Sequence, residues 1–233
     1  MRLNIPAKIT IAFAATLIAA LAYLYAPPLV IRAFCKAGGY DISYRHMRSA
    51  SFTRISASGL KLVNADTGAG FIARKAVIRP HFGKILSKTL SLDFDLYSVV
   101  FVNEKAAGAA SGYADLSGLV EIPFKGNWTY LHIDGSVDIF DKGTRIKAFN
   151  ATSDEIRLRI TGYIYRDNTV DSDITIYFAG KVTSSMPEML TEAVLADDQG
   201  DWKSLSAHVK GDLKAPAIQV TGKLFRLNIQ PRP

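Results

Sequence analysis

The stretch from 156 to 178 reads IRLRITGYIYRDNTVDSDITIYF, two runs of alternating residues separated by a polar turn. Apolar residues alternate with polar ones before the turn Arg166-Asp167-Asn168, and the alternation returns after it. Successive side chains of a strand point to opposite faces, so this pattern is typical of a strand with one buried face. The stretch therefore predicts an antiparallel hairpin whose apolar face carries Ile156, Leu158, Ile160, Ile174, Ile176 and Phe178.

The same alternation continues on both sides of this hairpin. Residues 90–96 read LSLDFDL, with Leu90, Leu92, Phe94 and Leu96 on one face. Similar runs lie at 205–209 and at 218–224, and polar turns separate the runs. These patterns predict a mainly β fold, a large antiparallel sheet of about ten strands with few short helices. The clearest helical pattern in this region is 187–196, which begins with proline.

An apolar face of this size must be covered by something. Helices are too few, so two solutions stay open: a closed sandwich of two sheets, or a curved sheet whose inner face holds acyl chains. In the second case the sheet would form a groove or half-barrel. Its lipid-facing residues would be the ten apolar residues of the runs 90–96, 156–160 and 174–178.

The N-terminus carries a long apolar segment. Residues 9–26, ITIAFAATLIAALAYLYA, contain no charge and end at Pro27-Pro28. As a helix, eighteen residues span about 27 Å, close to the hydrocarbon thickness of a bilayer. The segment is therefore expected to be a single-pass transmembrane anchor. The alternative is a cleaved signal peptide, with Ala20-Leu21-Ala22 as the cleavage site.

Several features favour export of the chain after the anchor. A short N-terminal tail before a long domain is typical of an exported domain. The single cysteine, Cys35, excludes an internal disulfide, which suits a bacterial periplasm. Residues 28–38 predict a short basic helix, which either packs on the domain or lies on lipid headgroups. We therefore expect a protein of the bacterial inner membrane with most of its chain in the periplasm.

Charge and motifs exclude other classes of function. The net charge of +7 is dispersed along the chain, so nucleic-acid binding is not expected. The four histidines are far apart in sequence, and neither a metal-ligand motif nor a catalytic triad is found. Carboxylates pair on polar strand faces at Asp93 and Asp95, where such groups are usually solvated. The sequence predicts a non-enzyme without a cofactor or metal.

An ordered series of motifs resembles the AsmA-like superfamily of bacterial envelope proteins. In the N-terminal half, the series is Gly39-Tyr40-Asp41-Ile42-Ser43-Tyr44, Ser58-Gly59-Leu60-Lys61-Leu62, a strand at 71–79, a segment at 83–92 and a strand at 94–102. In the C-terminal half, Trp202-Lys203-Ser204-Leu205 and the segment 211–218, GDLKAPAI, match the end of such proteins. By size the chain is similar to the compact members, including the type II secretion protein N group.

This resemblance implies an organisation and a function. The small residues of 105–113, KAAGAASGY, predict a loop that separates two halves. The chain would therefore divide into an anchor (1–27), an N-terminal β segment (28–104) and a C-terminal β segment that continues the sheet (105–233). The family implies an inner-membrane-anchored periplasmic protein that binds or transfers phospholipid or another envelope lipid through an apolar β-groove. The alternative is a non-enzymatic structural or assembly subunit of an envelope or secretion complex, with an envelope protein as partner.

Overall fold

A computed structural model describes most of the chain after the N-terminal segment. The described residues are 29, 31–33, 35–36, 39–51, 53–65, 68–81, 83, 88–103, 120, 122–124, 128–212, 215–224 and 226–229. The predicted anchor and the predicted loop at 105–113 lie outside them. No helix among the described residues is long and apolar enough to cross a membrane.

Thirteen strands form one sheet, which confirms the mainly β fold and the antiparallel arrangement. The first seven are β1 (Tyr40–Ser43), β2 (His46–Ser51), β3 (Arg54–Asn64), β4 (Ala69–His81), β5 (Leu90–Asn103), β6 (Thr129–Phe140) and β7 (Gly143–Thr152). The other six are β8 (Ile156–Tyr165), β9 (Thr169–Phe178), β10 (Ala196–Asp197), β11 (Lys203–Asp212), β12 (Ala217–Thr221) and β13 (Arg226–Ile229).

The sheet follows the chain order almost without interruption. Its path is β1-β3-β4-β5-β6-β7-β8-β9-β11-β12-β13, while β2 pairs with β3 and β10 with β11. The described strands do not form the two separate sheets of a sandwich, and the path has two free edges. Because β5 pairs with β6, strands from both halves of the chain belong to the same sheet.

Helices are few and short. Among the described residues they include a 3-10 turn (Ile122–Phe124), α1 (Gly180–Thr183) and α2 (Glu188–Ala193), and the described residues between 29 and 36 are also helical. The helix predicted at 187–196 is present with Pro187 at its N-cap, but it is shorter, since it ends at Ala193 and Ala196 begins β10. Helix α1 lacked a sequence signal because its four residues, GKVT, are too few for a helical period.

The strand count exceeds the expected ten for a physical reason. Several strands are too short to show alternation, and β7 contains a bulge at Lys147 between Ile146 and Phe149. The bulge adds a residue, so apolar residues of β7 are three apart and not two. The predicted alternation through Leu224 is wrong, because β12 ends at Thr221 and Leu224 is exposed.

Candidate functional site

All ten predicted lipid-facing residues lie on one face of the sheet, here called the apolar face. The register links Ile78, Phe94, Gly135, Phe149, Ile160, Ile174, Ala207 and Val220 in one row across eight strands. Because paired residues share a face, Phe94, Ile160 and Ile174 point to the same side. The adjacent inward row carries Leu96, Leu158 and Ile176. The alternation of the sequence therefore identified one continuous surface.

Burial divides this surface into two parts. At one end, called the covered end, six of the ten residues are buried: Leu96, Ile156, Leu158, Ile174, Ile176 and Phe178. At the other, called the open end, Leu90, Leu92, Phe94 and Ile160 are only half-buried. Residues of the covered end can touch a ligand only if the segments above them move. The candidate site is therefore the open end.

Segments outside the predicted strands cover one end of the face. Buried apolar residues from the 3-10 turn, the two helices and their flanks join the same core: Val120, Ile122, Val182, Met186, Val194 and Leu195. The 3-10 turn contacts β8. This cover removes from water the most apolar part of the face, which stabilises the fold by roughly 25 cal/mol for each Å² buried.

Two polar contacts fix the cover in place. The hydroxyl of Tyr130, a fully buried residue of β6, donates to the carbonyl of Pro123 at 2.8 Å. Burial raises the pKa of Tyr130, so this hydroxyl stays protonated and donates at any physiological pH. After α2, the backbone N–H of Lys223 donates to the carbonyl of Val194. One contact ties the cover to β6, and the other ties it to the segment that follows β12.

A carboxylate beside α2 adds an ion-pair cluster at the surface. Lys223 Nζ lies 2.7 Å from Asp197 Oδ2, and Lys203 Nζ lies 3.4 Å from Asp197 Oδ1. Lys223 first and Lys203 second hold the pKa of Asp197 below its usual value. These exposed pairs orient the segment between α2 and β11 and contribute little stability by themselves.

At the open end, a glycine lies between two aromatic residues of the apolar face. Gly135 lies in the row between Phe94 and Phe149, and a Cβ at this position would come within 3.0 Å of the Phe94 ring. The ring of Phe94 therefore lies over the glycine, with its centroid 6.2 Å from that of Phe149. Further along, Gly162 and Ser172 face each other across β8 and β9. At Gly135 the Phe94 ring therefore takes the place of a side chain, and the two aromatic rings form part of the half-buried apolar surface of this end.

The opposite face of the sheet, called the polar face, carries acid–base pairs. Asp95 of β5 forms a salt bridge with Arg79 and lies 3.2 Å from His132. His81 lies 2.6 Å from Asp93. Further on, His208 lies 2.9 Å from Asp173. Sequence analysis expected solvated carboxylates here, and alternation alone could not show which cations would face them.

The polar face includes one buried carboxylate. Asp138 accepts a hydrogen bond from the Ser91 hydroxyl at 2.6 Å, and Lys147 Nζ lies 2.6 Å from it. Asp138 and Ser91 are both buried. The β7 bulge occurs at Lys147, and the ammonium group of this lysine forms a salt bridge with the Asp138 carboxylate. Among the described residues, no group of three or more histidine, cysteine or acidic side chains could hold a metal ion.

Acid is expected to weaken the fold through Asp93. A hydrogen bond from Ser136, and secondly one from His81, lower the pKa of Asp93 below 3.8. A depressed carboxyl pKa stabilises the folded state above the unfolded pKa, and this contribution is lost as pH falls through the folded pKa. The difference in unfolding free energy between the wild type and Asp93→Asn should therefore shrink below about pH 4.

Urea denaturation between about pH 7 and about pH 3 measures this difference. Ser136→Ala serves as the control, because it removes the first cause of the shift and leaves the carboxylate in place. It should reduce the pH dependence only in part. A difference that stays constant down to pH 3 would contradict the assignment to Asp93.

Comparisons with protein-family models, with curated proteins and with solved structures find no match to this chain.

Proposed function

We propose that this chain binds or transfers lipid in a bacterial cell envelope through the open end of its apolar face. In this proposal, residues 1–27 anchor it in the inner membrane and the sheet lies in the periplasm, as in AsmA-like proteins. The observation that carries it is the half-burial of Leu90, Leu92, Phe94 and Ile160 on a face whose other end is covered by the chain itself. An acyl chain lying there would take these side chains out of water.

The dimensions of the sheet support local transfer and not a bridge across the envelope. The main path contains eleven strands, and neighbouring strands lie about 4.8 Å apart, so the sheet extends about 48 Å. We infer a curved groove of that length, which a single copy would use to accept lipid or pass it on. Residues on the apolar face would contact the acyl chains.

Photo-crosslinking in living bacteria tests this proposal with a matched pair of positions. A photoreactive amino acid at Ile160 would lie on the apolar face, and one at Arg159, its exposed neighbour, on the opposite face. We expect mass spectrometry to find lipid attached at position 160 and at least about tenfold less at 159, since adjacent residues of a strand point to opposite faces. Equal yields, or no lipid at 160, would contradict lipid binding.

The second candidate is a structural or assembly subunit, and the free edges of the sheet favour it. Among the described strands, β1 and β2 pair only with β3, and β13 pairs only with β12, so backbone groups at both edges can accept a partner strand. A photoreactive amino acid at Asn228 of β13 tests this function. Crosslinked protein at 228 without lipid at 160 would favour the assembly subunit.

A further inference from the structure

A cavity of about 1160 Å³ lies along strands β2 to β5 at the N-terminal edge of the sheet. Four cationic side chains line it: Arg45, Arg48, Arg74 and Lys75. The register places Arg48, Lys75 and Tyr97 on the polar face, so the cavity lies on the side opposite the apolar face. It is a separate feature from the open end.

The cations of this cavity lack the carboxylates that accompany cations elsewhere on the polar face. No aspartate or glutamate lines the cavity, and none of the four cations forms a salt bridge with a described carboxylate. By contrast, Arg79 pairs with Asp95, and Lys147 with Asp138. Like charges gathered without counter-charges repel one another, and a bound anion removes that repulsion.

A local break in the strand alternation brings two of these cations, Arg74 and Lys75, to the same face. Gly59, Arg74 and Ser98 occupy one row across β3, β4 and β5, and both Gly59 and Ser98 have positive φ. At this row the alternation of buried and exposed residues is interrupted. Ala73 and Ala76 are both buried, and Arg74 and Lys75 between them are both exposed. A regular strand would send these two neighbours to opposite faces.

The same row also brings Arg45 to the cavity. The backbone N–H of Arg45 donates to the carbonyl of Ser58 at 2.9 Å, so the link between β1 and β2 crosses the edge of β3 there. A Cβ on Gly59 would lie 3.3 Å from the Cβ of Arg45. The glycine thus allows both the positive φ and the close approach of the arginine.

Apolar groups complete the lining. Leu29 and Tyr97 border the cavity beside the cations. Lys75 Nζ lies 5.6 Å from the centre of the Tyr97 ring, which holds the ammonium in place without neutralising it. The site therefore combines positive charge with hydrocarbon, a combination that fits an amphipathic anion.

We propose that this cavity binds a phosphate group, carried by an anionic phospholipid or present as free phosphate. Guanidinium groups form paired, charge-assisted hydrogen bonds with phosphate oxygens, and three arginines with one lysine surround the space. The inference goes beyond the proposed function. Its test rests on substitutions in the cavity that leave the apolar face unchanged, so it can fail or succeed independently of lipid binding there.

Binding to the full-length protein in a non-ionic detergent tests the proposal with three probes. They are short-chain dihexanoyl phosphatidylglycerol, inorganic phosphate, and dihexanoylglycerol, which lacks the phosphate. We expect saturable binding of the phospholipid, weakened about tenfold by Arg74→Gln and again about tenfold by Lys75→Gln. Neither substitution should change any binding of dihexanoylglycerol, which has no phosphate for the cavity to hold.

Arg159→Gln is the matched control, because it removes the same charge from an exposed position on a distant strand. Phosphate binding comparable to that of the phospholipid supports a free-phosphate site, and much tighter phospholipid binding supports a headgroup site. Equal losses of dihexanoylglycerol and phospholipid affinity in Arg74→Gln would overturn the proposal. So would an affinity loss in Arg74→Gln no larger than that in Arg159→Gln, with thermal unfolding confirming that both variants are folded.

Discussion

Replacing Phe178 with alanine is expected to lower the free energy of unfolding by about 3–5 kcal/mol. Phe178 ends β9 and has no exposed surface, in a core shared with Val194 and Leu195 behind α2. Removing the ring leaves a cavity between the sheet and its cover, and a strand anchored on both sides cannot move inwards to fill it. Urea denaturation measures the change.

The control for this prediction is Met189→Ala on α2. Met189 is 78% exposed, so its truncation should change the unfolding free energy by less than about 0.5 kcal/mol. If the two variants were equally stable, the covered end would not be a packed core. An acyl chain could then reach Phe178.

Replacing Gly162 with alanine is expected to cost roughly 2–5 kcal/mol, because two penalties add. Gly162 has φ +138°, a conformation that residues with a side chain rarely adopt. Its added Cβ would also lie closer than 3.0 Å to the backbone of Asp171 and Ser172 on the paired strand. A backbone clash within a sheet is relieved only by separating β8 from β9.

Gly200→Ala separates the two penalties. Gly200 also has positive φ, at +67°, but nothing lies within 4 Å of its added Cβ. Its substitution should therefore cost only the conformational penalty, about 1 kcal/mol. Thermal and urea unfolding of both variants measure the difference, and an equal loss would show that β8 and β9 tolerate the Cβ.

The position of Gly162 links this prediction to the candidate site. The residue lies on the apolar face near the open end, beside Ser172 and opposite Ile146. A variant that separates β8 from β9 here would deform the surface proposed to hold lipid. Reduced lipid crosslinking at Ile160 in Gly162→Ala would then accompany the loss of stability.

Sequence alternation was sufficient where strands are regular and long. In β8 and β9 every apolar residue of the predicted face lies on one side, since nothing interrupts the period of two between Ile156 and Ile160 or between Ile174 and Phe178. The period of two failed in β7, because the bulge at Lys147 adds a residue to the strand. It also failed at Arg74 and Lys75, where positive φ at two neighbouring strands turns both residues outwards.

The candidate site was only half predictable. Alternation selected ten residues and placed them on one face, but it treated Leu92 and Ile176 alike. The structure separates them, because Ile176 is fully buried and Leu92 is not. The difference comes from the segments around Ile122 and Val182, whose patterns are too short to indicate where they pack.

The alternation of apolar and polar residues is enough to specify a large antiparallel sheet with one apolar face. The reason is local, since side-chain direction follows from the backbone of each strand and repeats every two residues. The tertiary structure alone decided which end of that face is covered, and that Arg45, Arg48, Arg74 and Lys75 meet around one cavity. Both depend on contacts between residues distant along the chain and on places where the strand alternation is interrupted. A local pattern of period two carries no information about either.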